Sequence, residues 1–103
     1  MTYSIRRTDK AQDQLRNIIF RIVENSGDVK VAINFLNKFE ELINNLKLFP
    51  NLGVRPRYSI LNKQGYRVLH IEKYLIFYKV NLDNKIITIY AIVDSRRDYL
   101  NLI

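Results

Sequence analysis

Residues 74–103 read YLIFYKVNLDNKIITIYAIVDSRRDYLNLI, and this stretch decides the fold of the chain. Two runs rich in β-branched and aromatic residues, Tyr74–Val80 and Lys85–Val93, flank a turn at residues 81–84. Such a pattern predicts a β-hairpin. Both runs are apolar at odd and at even positions, which is typical of strands that are covered on two faces.

Two amphipathic helices are predicted before this hairpin. The first begins at Thr8-Asp9 and ends at Gly27, which suits a left-handed cap. The second begins at Asp28 and ends at Phe49-Pro50. Apolar residues recur on one side of each helix, at Ala11, Leu15, Ile18, Ile19, Ile22 and Val23 and then at Ala32, Phe35, Leu36, Phe39, Ile43 and Leu46. The short connection predicts that the helices form an αα-hairpin.

The remaining strands complete an α+β fold. Tyr3–Arg7 is a short candidate edge strand, Asn51–Gly65 reads as a loop, and Tyr66–Ile71 is a strand that turns directly into the hairpin. The predicted order is an N-terminal strand, the αα-hairpin and a three-stranded antiparallel meander, β-α-α-β-β-β, because the last connections are too short for crossovers. At 103 residues, we expect one domain spanning 1–103.

The hairpin strands carry more apolar surface than one pair of helices can cover. Their second face needs a cover, and the candidates are the C-terminal residues 99–103, a second copy of the chain or another protein. We expect a segment of a partner protein to lie over this face. The alternative is that the tail folds back and covers it alone.

Composition narrows the classes of function. The net charge is +7, and residues 42–71 hold five basic and no acidic side chains, which indicates a surface for nucleic acid or an acidic protein, or else a solvated basic loop. The chain has no cysteine and one histidine, His70, so we expect no metal and no cofactor. No apolar run has the length of a membrane span and no signal peptide is evident, so we expect a cytoplasmic protein without membrane contact.

Several segments together resemble the RelE/ParE superfamily, the toxins of type II toxin–antitoxin systems. They are the segment Tyr74–Val80, the ending 92–99 with the letters IVDSRRDY, the pair Phe49-Pro50 followed by Gly53 and Arg55, and the strand start 66–68. The resemblance covers nearly the whole chain. It implies a sheet packed on a helical hairpin, and a cognate antitoxin with an acidic segment that wraps the toxin.

The resemblance implies one of two toxin activities, and each of them arrests growth. ParE-like members inhibit DNA gyrase and are associated with plasmid stabilisation, whereas RelE-like members cut mRNA on the ribosome. The residues that could serve a nuclease are Arg67, Arg96, Arg97 and Tyr99, since clustered guanidinium groups stabilise charge on phosphorus. Adjacent strand ends would bring Arg67 and Arg97 together. The alternative is that Arg96 or Arg97 forms a structural ion pair with Asp94 or Asp98.

The residues available for a nuclease site differ from the RelE-like pattern. The residue after Tyr74 is Leu75 rather than a basic residue, and the C-terminus has no histidine. His70 lies within a strand, where a structural or surface role is expected. We therefore favour a ParE-like toxin that is not an enzyme, with a RelE-like endonuclease or a non-toxic binding module of the same fold as alternatives.

Overall fold

The computed structural model describes residues 2–103, which contain four strands, three α-helices and one 3₁₀ turn. The strands are β1 (Ser4–Arg7), β2 (Arg67–Ile71), β3 (Tyr74–Asn81) and β4 (Ile86–Asp94). The helices are α1 (Asp9–Ser26), α2 (Val29–Leu48) and α3 (Ser59–Lys63), and the 3₁₀ turn is Leu100–Leu102. This confirms the predicted α+β arrangement, to which α3 is an addition. Within residues 2–103, no helix combines the length and the apolar character that a membrane crossing requires.

All four strands belong to one sheet in the order β1-β4-β3-β2. The strands β2, β3 and β4 pair antiparallel, which confirms the meander, and β1 lies at the edge, parallel to β4. The parallel pairing of β1 is possible because the two long helices supply the crossover. The register between β3 and β4 shifts after Phe77, so that Tyr90 has no partner residue and forms a β-bulge.

Both long helices have defined ends. Thr8 is the N-cap of α1, and its hydroxyl accepts a hydrogen bond from the N–H of Ala11 at 3.1 Å. Gly27 ends α1 in the left-handed conformation with φ +67°, as predicted. Asp28 caps α2 by accepting from the N–H of Lys30 at 2.9 Å. The two helices therefore turn back on each other as the predicted hairpin.

The helical hairpin packs on one side of the sheet, which we call the inner face. Ala11, Leu15 and Ile18 of α1 and Phe35, Phe39, Ile43 and Leu46 of α2 are buried there against Leu69, Ile71, Tyr74, Ile76, Tyr78, Ile87, Ile89 and Ile92. Leu36, which the sequence places in the same stripe, lies at its border and is 36% exposed. Burial of this apolar surface is the main stabilising term for the fold.

The opposite side of the sheet, the outer face, is covered in part by the chain itself. Leu61 of α3 and the C-terminal Tyr99 are buried in a second apolar cluster with Val68, Leu75, Phe77, Ala91 and Val93. Tyr58 and Ile103 pack at its border. The expectation that a partner segment must cover this apolar surface is therefore wrong, because the tail and α3 fold back over it.

The connection between α2 and β2 is held by one buried tyrosine. The Tyr78 hydroxyl donates to the carbonyl of Pro50 at 2.9 Å and accepts from the N–H of Gly53 at 2.8 Å. A Cβ atom on residue 53 would lie 2.7 Å from this hydroxyl and 2.8 Å from the Val68 carbonyl, so the close approach requires glycine. Val54 then pairs with Val68 as a single β-bridge. The segment predicted as a loop is thus anchored along the edge of the sheet.

We expect Tyr78→Phe to lower the free energy of unfolding by about 1–3 kcal/mol, because it leaves a buried N–H and a carbonyl without a partner. Urea denaturation measures this change. Tyr58→Phe is the matched control, since the Tyr58 hydroxyl makes no hydrogen bond within residues 2–103, and should change stability by less than about 0.5 kcal/mol. Equal effects of the two substitutions would contradict the anchoring role.

Candidate functional site

Arg96 is held in an ion pair at the end of β4. Its Nε lies 3.2 Å from Asp94 Oδ1, its Nη2 lies 3.1 Å from Asp94 Oδ2, and its backbone N–H donates to Oδ1 at 2.9 Å. The hydrogen bonds from the Arg96 side chain and backbone lower the pKa of the Asp94 carboxyl from 3.8 to about 2. The structural ion pair considered for this arginine is therefore present, although the Arg96 side chain remains 68% exposed.

Tyr99 is part of the outer-face cluster. Its side chain is buried, and its ring centroid lies 5.5 Å from those of Tyr58 and Phe77. Burial raises the pKa of its phenol, which makes proton loss harder. Tyr99 holds the tail to the sheet, and this packing explains its place in the sequence without a catalytic role.

Arg67 lies at the other end of the sheet from Arg96 and Arg97. It pairs with Tyr78, whereas Asp94 pairs with Tyr74, four residues back along β3. At about 3.3 Å per residue, this separates the two ends by about 13 Å. The expectation that strand ends bring Arg67 and Arg97 together is therefore wrong. Arg67 instead donates to the Asn51 carbonyl at 3.3 Å.

Arg97 lines a cleft of about 860 Å³ that we call the basic cleft. It lies between the end of α1, the start of α2 and the β2–β3 turn. Its lining consists of Arg21, Ile22, Asn25, Ser26, Val31, Glu72, Lys73, Tyr74, Asp94, Arg96 and Arg97. Sequence reasoning found the two C-terminal arginines but missed Arg21 and Lys73, which come from the outward side of a helix and from a tight turn.

The cleft carries a positive excess. Asp94 is neutralised by Arg96, and Glu72 lies 3.7 Å from Lys38. Within residues 2–103, Arg21, Lys73 and Arg97 have no carboxylate within 4 Å. Three cations are thus available to a ligand, and charge complementarity favours an acidic one.

The walls of the basic cleft also offer apolar contacts. Ile22 is half-buried, Val31 is 44% exposed, and the buried Tyr74 has the ammonium group of Lys73 5.6 Å from its ring centroid. A cleft with apolar walls and a cationic rim can bind a peptide that carries both apolar anchors and carboxylates.

A second, smaller cleft of about 270 Å³ opens on the outer face, and we call it the outer cleft. It brings His70 together with Arg55 and Arg57, beside Tyr99. Sequence reasoning had weighed His70 alone, because nothing in the letters shows that the segment after Pro50 folds along β2. An imidazole beside two guanidinium groups is a set of residues that could act on a phosphodiester. Among the described residues, no three His, Asp or Glu side chains are grouped as metal ligands.

Solved structures show which class of fold this is. The chain is similar to a chain of the structure described as the chromosomal ParDE TA system from P. aeruginosa, with a TM-score of 0.73 at 23% identity, over 92% of this chain and 98% of that one. It is also similar to the RelBE2 complex from Mycobacterium tuberculosis, with a TM-score of 0.59 at 18% identity over 91% and 99% of the two chains. These likenesses assign the chain to the RelE/ParE fold.

The sequence comparisons are more specific. The family described as ParE toxin of type II toxin-antitoxin system, parDE, matches residues 5–99. Toxin ParE3 of Caulobacter vibrioides is 31% identical over 90 residues, which span 87% of this chain and 84% of that protein. The chain therefore belongs to the ParE toxin family of type II toxin–antitoxin systems.

The Asp94–Arg96 ion pair predicts a dependence of stability on pH. Because the pKa of Asp94 is lower in the folded chain than in the unfolded one, the pair adds stability above about pH 4, and the contribution is lost as the pH falls towards 2. Asp94→Asn should lower the Tm by a few degrees at pH 7, and the difference from wild type should shrink between about pH 4 and pH 2. Thermal unfolding followed by circular dichroism measures both.

Asp98→Asn is the control, since Asp98 is exposed and has no ion pair within residues 2–103. It should leave the Tm unchanged at pH 7. A difference between wild type and Asp94→Asn that persists at pH 2 would show that the carboxylate is not what stabilises the turn.

Proposed function

We propose that this chain arrests growth by inhibiting DNA gyrase and that a cognate antitoxin neutralises it. Membership of the ParE toxin family, across residues 5–99, is the observation that carries the proposal. The arrangement of the sequence-predicted nuclease residues supports it. Arg96 is paired with Asp94, Tyr99 is buried, and Arg67 lies at the far end of the sheet. A toxin that binds its target without cleaving RNA has no need for these residues to meet.

The antitoxin is proposed to bind the basic cleft through an acidic segment. Arg21, Lys73 and Arg97 supply charge without internal partners among the described residues, and Ile22 and Val31 supply apolar contact. A disordered acidic segment gains both kinds of interaction when it orders on this surface. The P. aeruginosa and M. tuberculosis neighbours are described as a TA system and a toxin-antitoxin complex, and the Pyrococcus horikoshii neighbour as a RelE-RelB complex, which supports a partner of this kind.

The second candidate function is a RelE-like, ribosome-dependent mRNA endonuclease. The grouping of His70, Arg55 and Arg57 in the outer cleft favours it. In that case His70 would exchange protons with the 2′-hydroxyl or the leaving oxygen, and the two arginines would stabilise the phosphorane charge. The set differs from the one predicted from the sequence, because Arg67, Arg96 and Arg97 have no part in it.

Purified gyrase separates the two activities. We expect the wild-type chain to inhibit supercoiling of relaxed plasmid DNA, and His70→Ala to inhibit it equally, because the outer cleft has no role in binding gyrase. Translating ribosomes mixed with the wild-type chain should leave their mRNA intact. Undiminished supercoiling together with cleaved mRNA that depends on His70 would overturn the proposal in favour of the nuclease.

The role of the basic cleft is tested by charge reversal. Arg97→Glu should weaken binding of the protein encoded by a neighbouring reading frame with an acidic C-terminal segment by about tenfold, or about 1.4 kcal/mol. Lys10→Glu changes the net charge equally but lies on the exposed first turn of α1, and should weaken binding by less than about threefold. Isothermal titration measures both affinities. Equal losses would mean that the antitoxin responds to net charge and not to this cleft.

A further inference from the structure

The outer face is divided into a covered half and an open half. The half near the β2–β3 turn lies under α3 and the tail, with Leu75, Phe77 and Val93 in the buried cluster. The half near the β3–β4 turn has no such cover and carries polar residues in a row across three strands. Arg6 of β1 pairs with Thr88 of β4, and Thr88 pairs with Lys79 of β3. We call these three residues the cationic strip.

Strand alternation places the strip on the outer face. The next residues along each strand, Ile5, Ile87 and Val80, pack in the inner-face core, so Arg6, Thr88 and Lys79 point the other way. They line one shallow cleft of about 600 Å³ together with Tyr90. Because neighbouring strands lie about 4.8 Å apart, the backbones of Arg6 and Lys79 are about 10 Å apart.

The ammonium group of Lys79 is held between two tyrosines. It lies 4.5 Å from the ring centroid of Tyr66 and 5.2 Å from that of Tyr90, and these rings contact each other edge to face at 5.5 Å. Cation–π contacts of this kind fix a lysine that would otherwise be mobile. These contacts favour one position of the Lys79 side chain, and a side chain held in place lowers the entropic cost of binding.

The cations of the strip are not paired with carboxylates within the described part of the chain. Neither Arg6 nor Lys79 has a carboxylate within 4 Å among residues 2–103. Asp83 is the one acidic residue that lines the same cleft, at its end in the β3–β4 turn. The strip presents two cations and a hydroxyl, which suit carboxylates spaced about 10 Å apart.

A protein ligand fits the strip better than a nucleic acid does. Single-stranded nucleic acids are bound by aromatic faces on which the bases stack. Here Lys79 lies over both tyrosine rings, and Tyr66 also contacts Phe77. Lys79 occupies one face of each ring, so the strip offers charge more than stacking surface, and this favours an acidic peptide segment.

The strip is remote from the basic cleft. Lys79 is five residues from Tyr74 along β3, about 16 Å, and Tyr74 belongs to the inner face whereas Lys79 belongs to the outer face. The basic cleft and the strip share no lining residue and are therefore separate surfaces. We propose that the cationic strip binds an acidic segment of the protein that this toxin inhibits. The inference rests on the proposed function only in that the toxin acts through a protein target.

Growth arrest in cells and binding in solution test the strip together. Arg6→Gln and Lys79→Gln should each reduce toxicity, measured as colony survival after induction, by at least about tenfold. Each should also weaken binding of a fluorescent 12-residue peptide with Glu at every third position by about fivefold at low salt. Lys85→Gln is the matched control, because Lys85 also packs on a tyrosine, 5.2 Å from the Tyr3 ring, but lies outside the strip.

Lys79→Gln could lower the Tm and so reduce toxicity through lost stability. Arg6 is exposed on an edge strand, so Arg6→Gln tests the strip without that effect. Unchanged toxicity of Arg6→Gln would overturn the inference. Tighter binding of a single-stranded DNA 12-mer than of the peptide, with the DNA affinity lost in Lys79→Gln, would also overturn it and assign the strip to nucleic acid. Toxicity that depends on Lys79 without any inhibition of gyrase would overturn the gyrase proposal and leave the strip in place.

Discussion

The double burial of β3 and β4 is the constraint on which the structure depends. Ile76, Ile87 and Ile89 face one side and Phe77, Ala91 and Val93 face the other, and all are buried. A pair of strands that is apolar on both sides is stable only between two covers. The helical hairpin supplies the first. The second is assembled from small pieces, the short helix α3 and the C-terminal turn with Tyr99.

This second cover decides where ligands can bind. The tail and α3 bury the apolar cluster of the outer face, and three candidate surfaces for other molecules are formed by charged side chains. They are the basic cleft at one end of the sheet, the cationic strip at the other, and the small cleft of His70, Arg55 and Arg57 beside the tail. Each depends on packing beneath it. Tyr74 lies beneath the basic cleft, and Lys79 of the cationic strip is held over Tyr66 and Tyr90. The Tyr78–Gly53 contact brings together the residues of the small cleft.

Much of the fold could be predicted from the sequence, because periodicity reports which side of an element is buried. The four strands, the two long helices and the caps at Gly27 and Asp28 follow from local patterns that the tertiary structure supports. The helix α3 could not, since Ser59–Lys63 is too short to show a period and lies among turn residues. The cover by the tail was foreseen only as the alternative to a partner segment, and the part that Leu61 of α3 plays in it was missed because the helix itself was missed.

The candidate sites were less predictable, because they depend on strand register and on where a loop docks. Counting strand ends in the sequence places Arg67 next to Arg97. The pairing of Arg67 with Tyr78 instead puts the two arginines at opposite ends of the sheet. His70 has no partner nearby in the sequence. The Tyr78 hydroxyl, 25 residues from Gly53 along the chain, fixes the segment that brings Arg55 into the same cleft as His70. Arg21, Lys73, Arg6 and Lys79 gave no signal, since single basic residues on outward positions are common on any surface.

The central claim is that this ParE-family chain acts by binding a protein and not by cutting RNA. Mapping mRNA 5′ ends in cells shortly after induction of the chain alone tests it most directly. Our account predicts messages with unchanged 5′ ends, alongside arrested growth and a DNA-damage response. New in-frame cuts within translated messages, lost in a His70→Ala variant, would contradict it and make the outer cleft a nuclease site.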